Sequence, residues 1–263
     1  MECPLISIVT VCFNSEKEIE NTIHSVINQT YPNIEYIIID GGSTDSTVEI
    51  IIKYINRISL FISEPDKGIY DAMNKGVENA TGDWINFMNS GDEFVNNEVL
   101  FNVFVNKEYP TDIAVVYGNT ILKTPFGYYH YNCMPKDGEM PITHQSAFTR
   151  SSLMKKYKFD LTYKIIADAN LFRILRLNNY TLKHIEQTIS IYEAIDGYSA
   201  KHNVQLLKEQ TKMLQQDKGF VYFLTYLRAL LGEWKCKYFS NSYLMKSAKI
   251  KMKMNKRITP CNF

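Results

Sequence analysis

Four short apolar runs in the first ninety residues each end in side chains that can grip a polar ligand. Asn14 follows residues 5–13 (LISIVTVCF), and Asp40 follows 34–39 (IEYIII). Asp66 and Lys67 follow 60–63 (LFIS), and Asn89-Ser90-Gly91-Asp92 follow 84–88 (WINFM). Carboxylates, amides and an ammonium gathered at one rim offer donors and acceptors to a small charged molecule. A further carboxylate, Asp168, follows Ile165-Ile166-Ala167 and opens a helical run. Asp and Asn are also common turn starters, so any one of these positions has a local explanation. Four successive run ends of the same character are harder to explain that way.

The elements that must carry these groups are legible. The apolar runs are rich in β-branched residues, as buried strands are. Helices are expected between them. Ser15 and Glu18 have capping-box spacing ahead of Ile19, Ile23, Val26 and Ile27. A second helix carries Val48, Ile51, Ile52 and Ile55, and a third spans 69–80 with Met73 and Val77 inward. A helix around 99–105 and a strand at 113–117 follow. Strand–helix alternation of this kind gives a parallel sheet with right-handed crossovers. Ligands bind such sheets beyond the carboxyl ends of the strands, where the polar groups lie. Further on, a hairpin is expected within 118–131, a short helix at 151–157, and a strand at 181–192; from about residue 203 the pattern is helical.

The chain has 263 residues, with 45% hydrophobic and 22% charged, ordinary for a soluble globular protein. No run approaches the roughly 18 apolar residues that cross a bilayer. The stretch 5–13 is short, broken by Ser7 and Thr10 and preceded by Glu2, unlike a signal peptide. Cys3, Cys12, Cys133, Cys236 and Cys261 form no CxxC pair, which favours reduced thiols over a disulfide framework or zinc site. Net charge is +1, but residues 201–263 hold 13 Lys and Arg against 3 Asp and Glu, and residues 1–200 hold 16 against 25. An acidic body with a basic tail suggests an anionic surface as partner. No nucleic-acid recognition motif accompanies the charge.

The ordered series SIVTVCFN (7–14), IIIDGGSTDST (37–47), SEPDKGIYDAMNKGVENATGDWINFMNSGD (63–92), HQSAF (144–148) and IIADANLF (165–172) resembles glycosyltransferase family 2, in particular its bacterial surface-polysaccharide branch. The resemblance covers residues 4–200. It implies an α/β GT-A fold, a Rossmann-like, mostly parallel sheet flanked by helices. Residues 1–200 would form the glycosyltransferase domain, with a nucleotide-sugar half at about 1–117 and an acceptor half at about 118–200. Residues 201–263 would be a helical, basic extension.

The resemblance further implies an inverting glycosyltransferase using a nucleotide diphosphate sugar, with UDP preferred, and a growing, lipid-linked glycan as acceptor. It implies that Asp40 reads the nucleobase edge, that Phe13 stacks on the base, and that Asp66 and Lys67 line the nucleotide pocket. Asn89 would contact ribose or phosphate. Asp92, the surviving carboxylate of a DXD-like motif, would ligate Mg²⁺ or Mn²⁺, and Asp168 would be the general base. His144 and Gln145 would line the donor-sugar or acceptor side. Helix capping is the alternative for Asp40, Asp92 and Asp168. The expected location is the cytoplasm or the inner membrane face. Residues 219–234 (GFVYFLTYLRALLGEW) have helical spacing of Phe220, Phe223, Leu224, Leu227, Leu230 and Leu231. They read either as a helix packed on the core or as one lying on a membrane, with basic residues 235–257 meeting anionic lipid. Two rival functions are transfer to a polyprenyl phosphate and nucleotide-sugar binding without turnover.

Overall fold

Alternate side chains of the first strands face opposite cores, and this decides where every helix packs. In the computed structural model, which describes residues 3–135, 141–193, 202–214, 225–227, 229–230 and 257–261, β1 spans Ile6–Cys12, β2 Ile34–Asp40, β3 Leu60–Ser63 and β4 Trp84–Phe87. Ile6, Ile8, Tyr36, Ile38 and Trp84 point to one face. There they meet α1 (Ile19–Ile27), α2 (Thr47–Ile52) and α4 (Val99–Phe104). Val9, Val11, Ile37, Ile39, Ile85 and Phe87 point to the other face. They meet α3 (Ile69–Asn79), α5 (Ser151–Tyr157) and α6 (Ala167–Leu177). Two-sided burial is why these strands read as continuous apolar runs. Helix α3 lies so close to β1 that a Cβ on Gly76 would strike Val9.

The four strands pair in parallel in the order β3-β2-β1-β4. The chain reverses direction of travel across the sheet between β1 and β4, the switch point where such sheets open a crevice. Beyond β4 the sheet is mixed. β8 (Ala147–Arg150) runs antiparallel to both β4 and β6 (Ile113–Thr124). β9 (Thr181–Glu193) runs parallel to β6 along most of its length and also holds the two-residue β5 (Glu93–Phe94). The expected hairpin is β6 with β7 (Gly127–Tyr131).

Three readings need correction. Ser15 and Glu18 form no capping box: Glu18 precedes α1 without a side-chain cap, and the Ser15 carbonyl instead accepts the N–H groups of Glu18 and Ile19. The chain beyond 203 is not helical throughout. Asn203–Leu214 is a helix, α7, but Ile258–Cys261 is a strand, β10, paired antiparallel with β7. The strand at 113–117 continues to Thr124. Residues 215–224 and 231–256 lie outside the described residues, and with them most of the apolar segment 219–234 and the basic segment expected to meet lipid. Among the described residues, no helix is long and apolar enough to cross a membrane. Cys3, Cys12, Cys133 and Cys261 are free thiols.

Candidate active site

The polar groups form two clusters on the rim above the parallel strands. The first surrounds the turn after β2. Asp40 has no exposed surface. Its Oδ2 accepts the N–H groups of Gly42 (3.2 Å) and Ser43 (3.0 Å) and the Ser63 hydroxyl (2.7 Å). Its Oδ1 accepts the Ser43 hydroxyl at 2.5 Å. Burial alone would raise its pKa, but the bonds from Ser43, Ser63 and Gly42 outweigh it and hold the carboxyl below its ordinary value. In this conformation Asp40 braces the loop that follows β2. It does not cap α2, which starts at Thr47. Gly41 lies between Phe13 and Asp66 so tightly that a Cβ there would strike the Asp66 carboxylate. Phe13 is 60% exposed, a flat apolar surface at the end of β1. Asp66 Oδ1 accepts the Gly68 N–H at 2.8 Å. Lys67 is exposed, and its backbone N–H donates to Asp71.

The bracing role of Asp40 has a pH signature. A carboxylate depressed in the folded state adds stability that is present above its ordinary pKa, near ~4, and is lost as pH falls through the folded value. Asp40→Asn should destabilise the fold by about 1–3 kcal/mol at pH 7. In thermal melts this deficit should shrink below about pH 4. An unchanged melting temperature at pH 7 would remove the bracing role.

The second cluster joins residues far apart in sequence. His144 sits in a short 3-10 turn, His144–Ser146, leading into β8. Its Nδ1 is 3.0 Å from Asp168 Oδ2. Its Nε2 is 3.1 Å from Asn89 Nδ2 and 4.0 Å from Asp92 Oδ2. A single imidazole thus spans from the base candidate to the DXD-like loop. Asp168 Oδ1 also accepts the Ala169 N–H (2.8 Å) and the Tyr70 hydroxyl (3.1 Å). Burial opposes charge on both His144 and Asp168. Their mutual hydrogen bond and opposite charges prevail, raising His144 and lowering Asp168. With Nδ1–H donating to Asp168, Nε2 accepts from the Asn89 amide, which leaves Asn89 Oδ1 buried without a partner.

Asp92 is 8% exposed. Burial pushes its carboxyl up to about 7, against the charge of His144 and a hydrogen bond from the Gln145 side chain. Gln145 therefore belongs to the Asp92 loop as much as to an acceptor side. The loop is tied down from α1, because Thr22 Oγ1 donates to the Asp92 carbonyl at 2.8 Å and accepts the Gly91 N–H at 3.0 Å. Asp92 leads into a strand rather than a helix, so it caps nothing. Asp168 lies in the first turn of α6 but is not its N-cap residue.

Among the described residues no three His, Cys, Asp or Glu side chains cluster as metal ligands. The donor set nevertheless fits a hard divalent cation. One carboxylate, Asp92, stands in a loop with one orphaned amide oxygen, Asn89 Oδ1. Mg²⁺ and Mn²⁺ in phosphate sites take one or two protein oxygens and complete their shell with substrate phosphate and water.

Sequence reasoning did not single out Tyr70 or Thr22 as site residues. Tyr70 and Thr22 lie on amphipathic helices in positions that look like ordinary buried faces, and only their partners in space mark them.

Comparison with known proteins gives the family and the fold. The model of the glycosyl transferase family 2 matches residues 7–169. A "PGL/p-HBAD biosynthesis glycosyltransferase" of Mycobacterium bovis (strain BCG / Pasteur 1173P2) is 28% identical over 210 residues, covering 76% of this chain and 80% of that protein. An "Uncharacterized glycosyltransferase" of Haemophilus influenzae is 44% identical over 103 residues, 38% of this chain and 41% of that protein. In structure, the mannosyltransferase PcManGT from Pyrobaculum calidifontis, in complex with GDP-Man and Mn2+, superposes with a TM-score of 0.65 at 14% identity, over 97% of this chain and 82% of that one. S. aureus TarS 1-349 with UDP superposes at 0.60 and 18% identity, over 95% and 76%. The chain spans 44% of the longer TarS chain. These structural matches share the GT-A fold. The chain belongs to glycosyl transferase family 2 and is a glycosyltransferase by family and fold.

Proposed function

We propose that the protein transfers a sugar from a nucleotide diphosphate sugar, UDP-linked by preference, to a hydroxyl of a growing surface glycan with inversion at the anomeric carbon. The observation that carries this reading is His144 bridging Asp168 to the Asn89–Asp92 loop. Base and leaving-group ends of one reaction are held together by one ring. The nucleotide-sugar half, residues 1–117, supplies the loop, and the acceptor half, 118–200, supplies the base, so the reacting atoms would meet at their seam.

Phe13 stacks on the base, Asp40 meets its edge from the loop it braces, and Asp66, across Gly41 from Phe13, lines the same pocket. Lys67 lies at the open side, suited to a phosphate. Asp92 and Asn89 Oδ1 would hold Mg²⁺ or Mn²⁺ at the diphosphate. A cation held by them would offset charge gathering on the leaving diphosphate. Asp168 stays ionised because His144 and Tyr70 stabilise its negative charge. As the acceptor oxygen bonds to the anomeric carbon, the carbon–oxygen bond to the diphosphate breaks and the hydroxyl proton passes to Asp168. Attack from the face opposite the diphosphate inverts the centre. A phosphate acceptor would need no such base.

Basic residues 235–257 suit an acceptor anchored by lipid on the inner membrane face, where anionic headgroups gather. One experiment addresses both points. Proton NMR of the product formed from an α-linked UDP-sugar should show a β-glycoside, with a lower KM for lipid-linked acceptor in anionic vesicles than for free glycan. An α-glycoside would reject inversion, and equal KM values would reject the lipid-linked acceptor.

A further inference from the structure

We propose that Glu209, on the helix that begins the basic C-terminal extension, is a positioning residue for Asp168. The proposal rests on the transfer reading above, in which Asp168 is the base.

Helix α6 begins without a cap of its own. Its N-cap residue is Ile166, whose side chain can accept no hydrogen bond. The amide hydrogens of the segment that leads into it, residues 164–166, are taken by a carboxylate from another helix. Glu209 Oε1 accepts the Lys164 N–H at 2.7 Å, and Oε2 accepts those of Ile165 at 2.9 Å and Ile166 at 3.2 Å. Gln205 Nε2 donates to Oε1 at 2.7 Å from one turn earlier on α7. Glu209 is 3% exposed. A carboxylate is rarely buried so deeply unless its charge is answered, and here backbone N–H groups and the positive end of α6 answer it.

The same three residues are held from the opposite side. The Tyr70 hydroxyl lies 2.7 Å from the Ile165 carbonyl and 3.1 Å from Asp168 Oδ1. The peptide 164–166 is therefore clamped between α3 and α7, immediately ahead of the residue that must keep one oxygen on His144. With 164–166 fixed by Glu209, Asp168 keeps Oδ1 on the Ala169 N–H and its Oδ2 on His144. Proton transfer is sensitive to displacements near one ångström, so loosening this turn is felt in the chemical step rather than in donor binding.

The test is Glu209→Gln, which keeps the shape of the side chain but turns a second donor toward the backbone N–H groups. The positioning role predicts that kcat falls by roughly 10- to 100-fold. The affinity for UDP should stay within about twofold of wild type. Hydrogen exchange at 164–166 should accelerate. In an Asp168→Asn background the same substitution should remove little further activity, since both act on one step. Wild-type kcat in the variant, or loss of UDP affinity in step with kcat, would overturn the role and leave a purely structural contact. So would a full additional loss on the Asp168→Asn background. If the wild-type chain transfers no sugar to any acceptor, the transfer reading fails and this role with it. Exchange protection at 164–166 that depends on Glu209 would then still show the clamp itself.

Discussion

Asp168→Asn lowers the rate of sugar transfer by about 100- to 10,000-fold, the usual contribution of a positioned general base. UDP affinity stays within about twofold, because Asp168 bonds His144, Tyr70 and the Ala169 N–H rather than the Phe13–Asp66 pocket. The two effects separate because the substitution is nearly isosteric. Asn can still accept from Tyr70 and the Ala169 N–H through one oxygen. What it cannot do is take the acceptor's proton or balance the charge on His144. Released UDP measured against time, beside UDP titrations of the same preparation, reads both quantities. A transfer rate equal to wild type would sink the base assignment and favour a phosphate acceptor, which arrives already ionised.

Asp92→Asn should abolish the stimulation of UDP binding by Mn²⁺, weakening affinity in the presence of the metal by about 10- to 100-fold. The wild-type carboxyl is buried, and its pKa is raised to about 7. A carboxyl raised in this way is most stabilising while protonated and loses that contribution as pH rises through about 7. The Asn variant therefore should not melt earlier than wild type at pH 7 or above. Lost metal response with an undiminished melting temperature is the expected pair. Retention of the full Mn²⁺ effect would remove Asp92 as a ligand.

The parts legible in the sequence are those where local pattern and tertiary environment agree. β1 through β4 are buried on both faces, so their β-branched runs stand out, and the polar residues that end them had to lie on one rim. Asp168, His144 and Asn89 could be named from motifs, but not joined. Their meeting depends on β8 returning antiparallel beside β4, a long-range pairing that leaves no local sign. Asp40 shows the opposite case. Its place at the end of β2 was plain, yet the Ser43 and Ser63 hydroxyls that close around it could be seen only in space. Ser15 and Glu18 had capping-box spacing, but the Ser15 carbonyl accepts the Glu18 N–H and Thr47 Oγ1 accepts the Ser15 N–H. Residues 258–261 gave no strand signal because the segment is short, contains Pro260 and pairs only with β7. Glu209 lies in the helical pattern after residue 203 with no local sign of its role, and its carboxylate is buried against a turn 43 residues away.

The central claim is that this rim binds a nucleotide diphosphate with a divalent cation at Asp92. It is tested most directly by calorimetric titration of the wild-type chain with UDP, GDP, dTDP and CDP, each with and without Mn²⁺. The predicted result is saturable binding of UDP that tightens when Mn²⁺ is present, with the other diphosphates weaker. Folded protein that binds none of the four would contradict the donor-site assignment and move the weight to a role without sugar transfer.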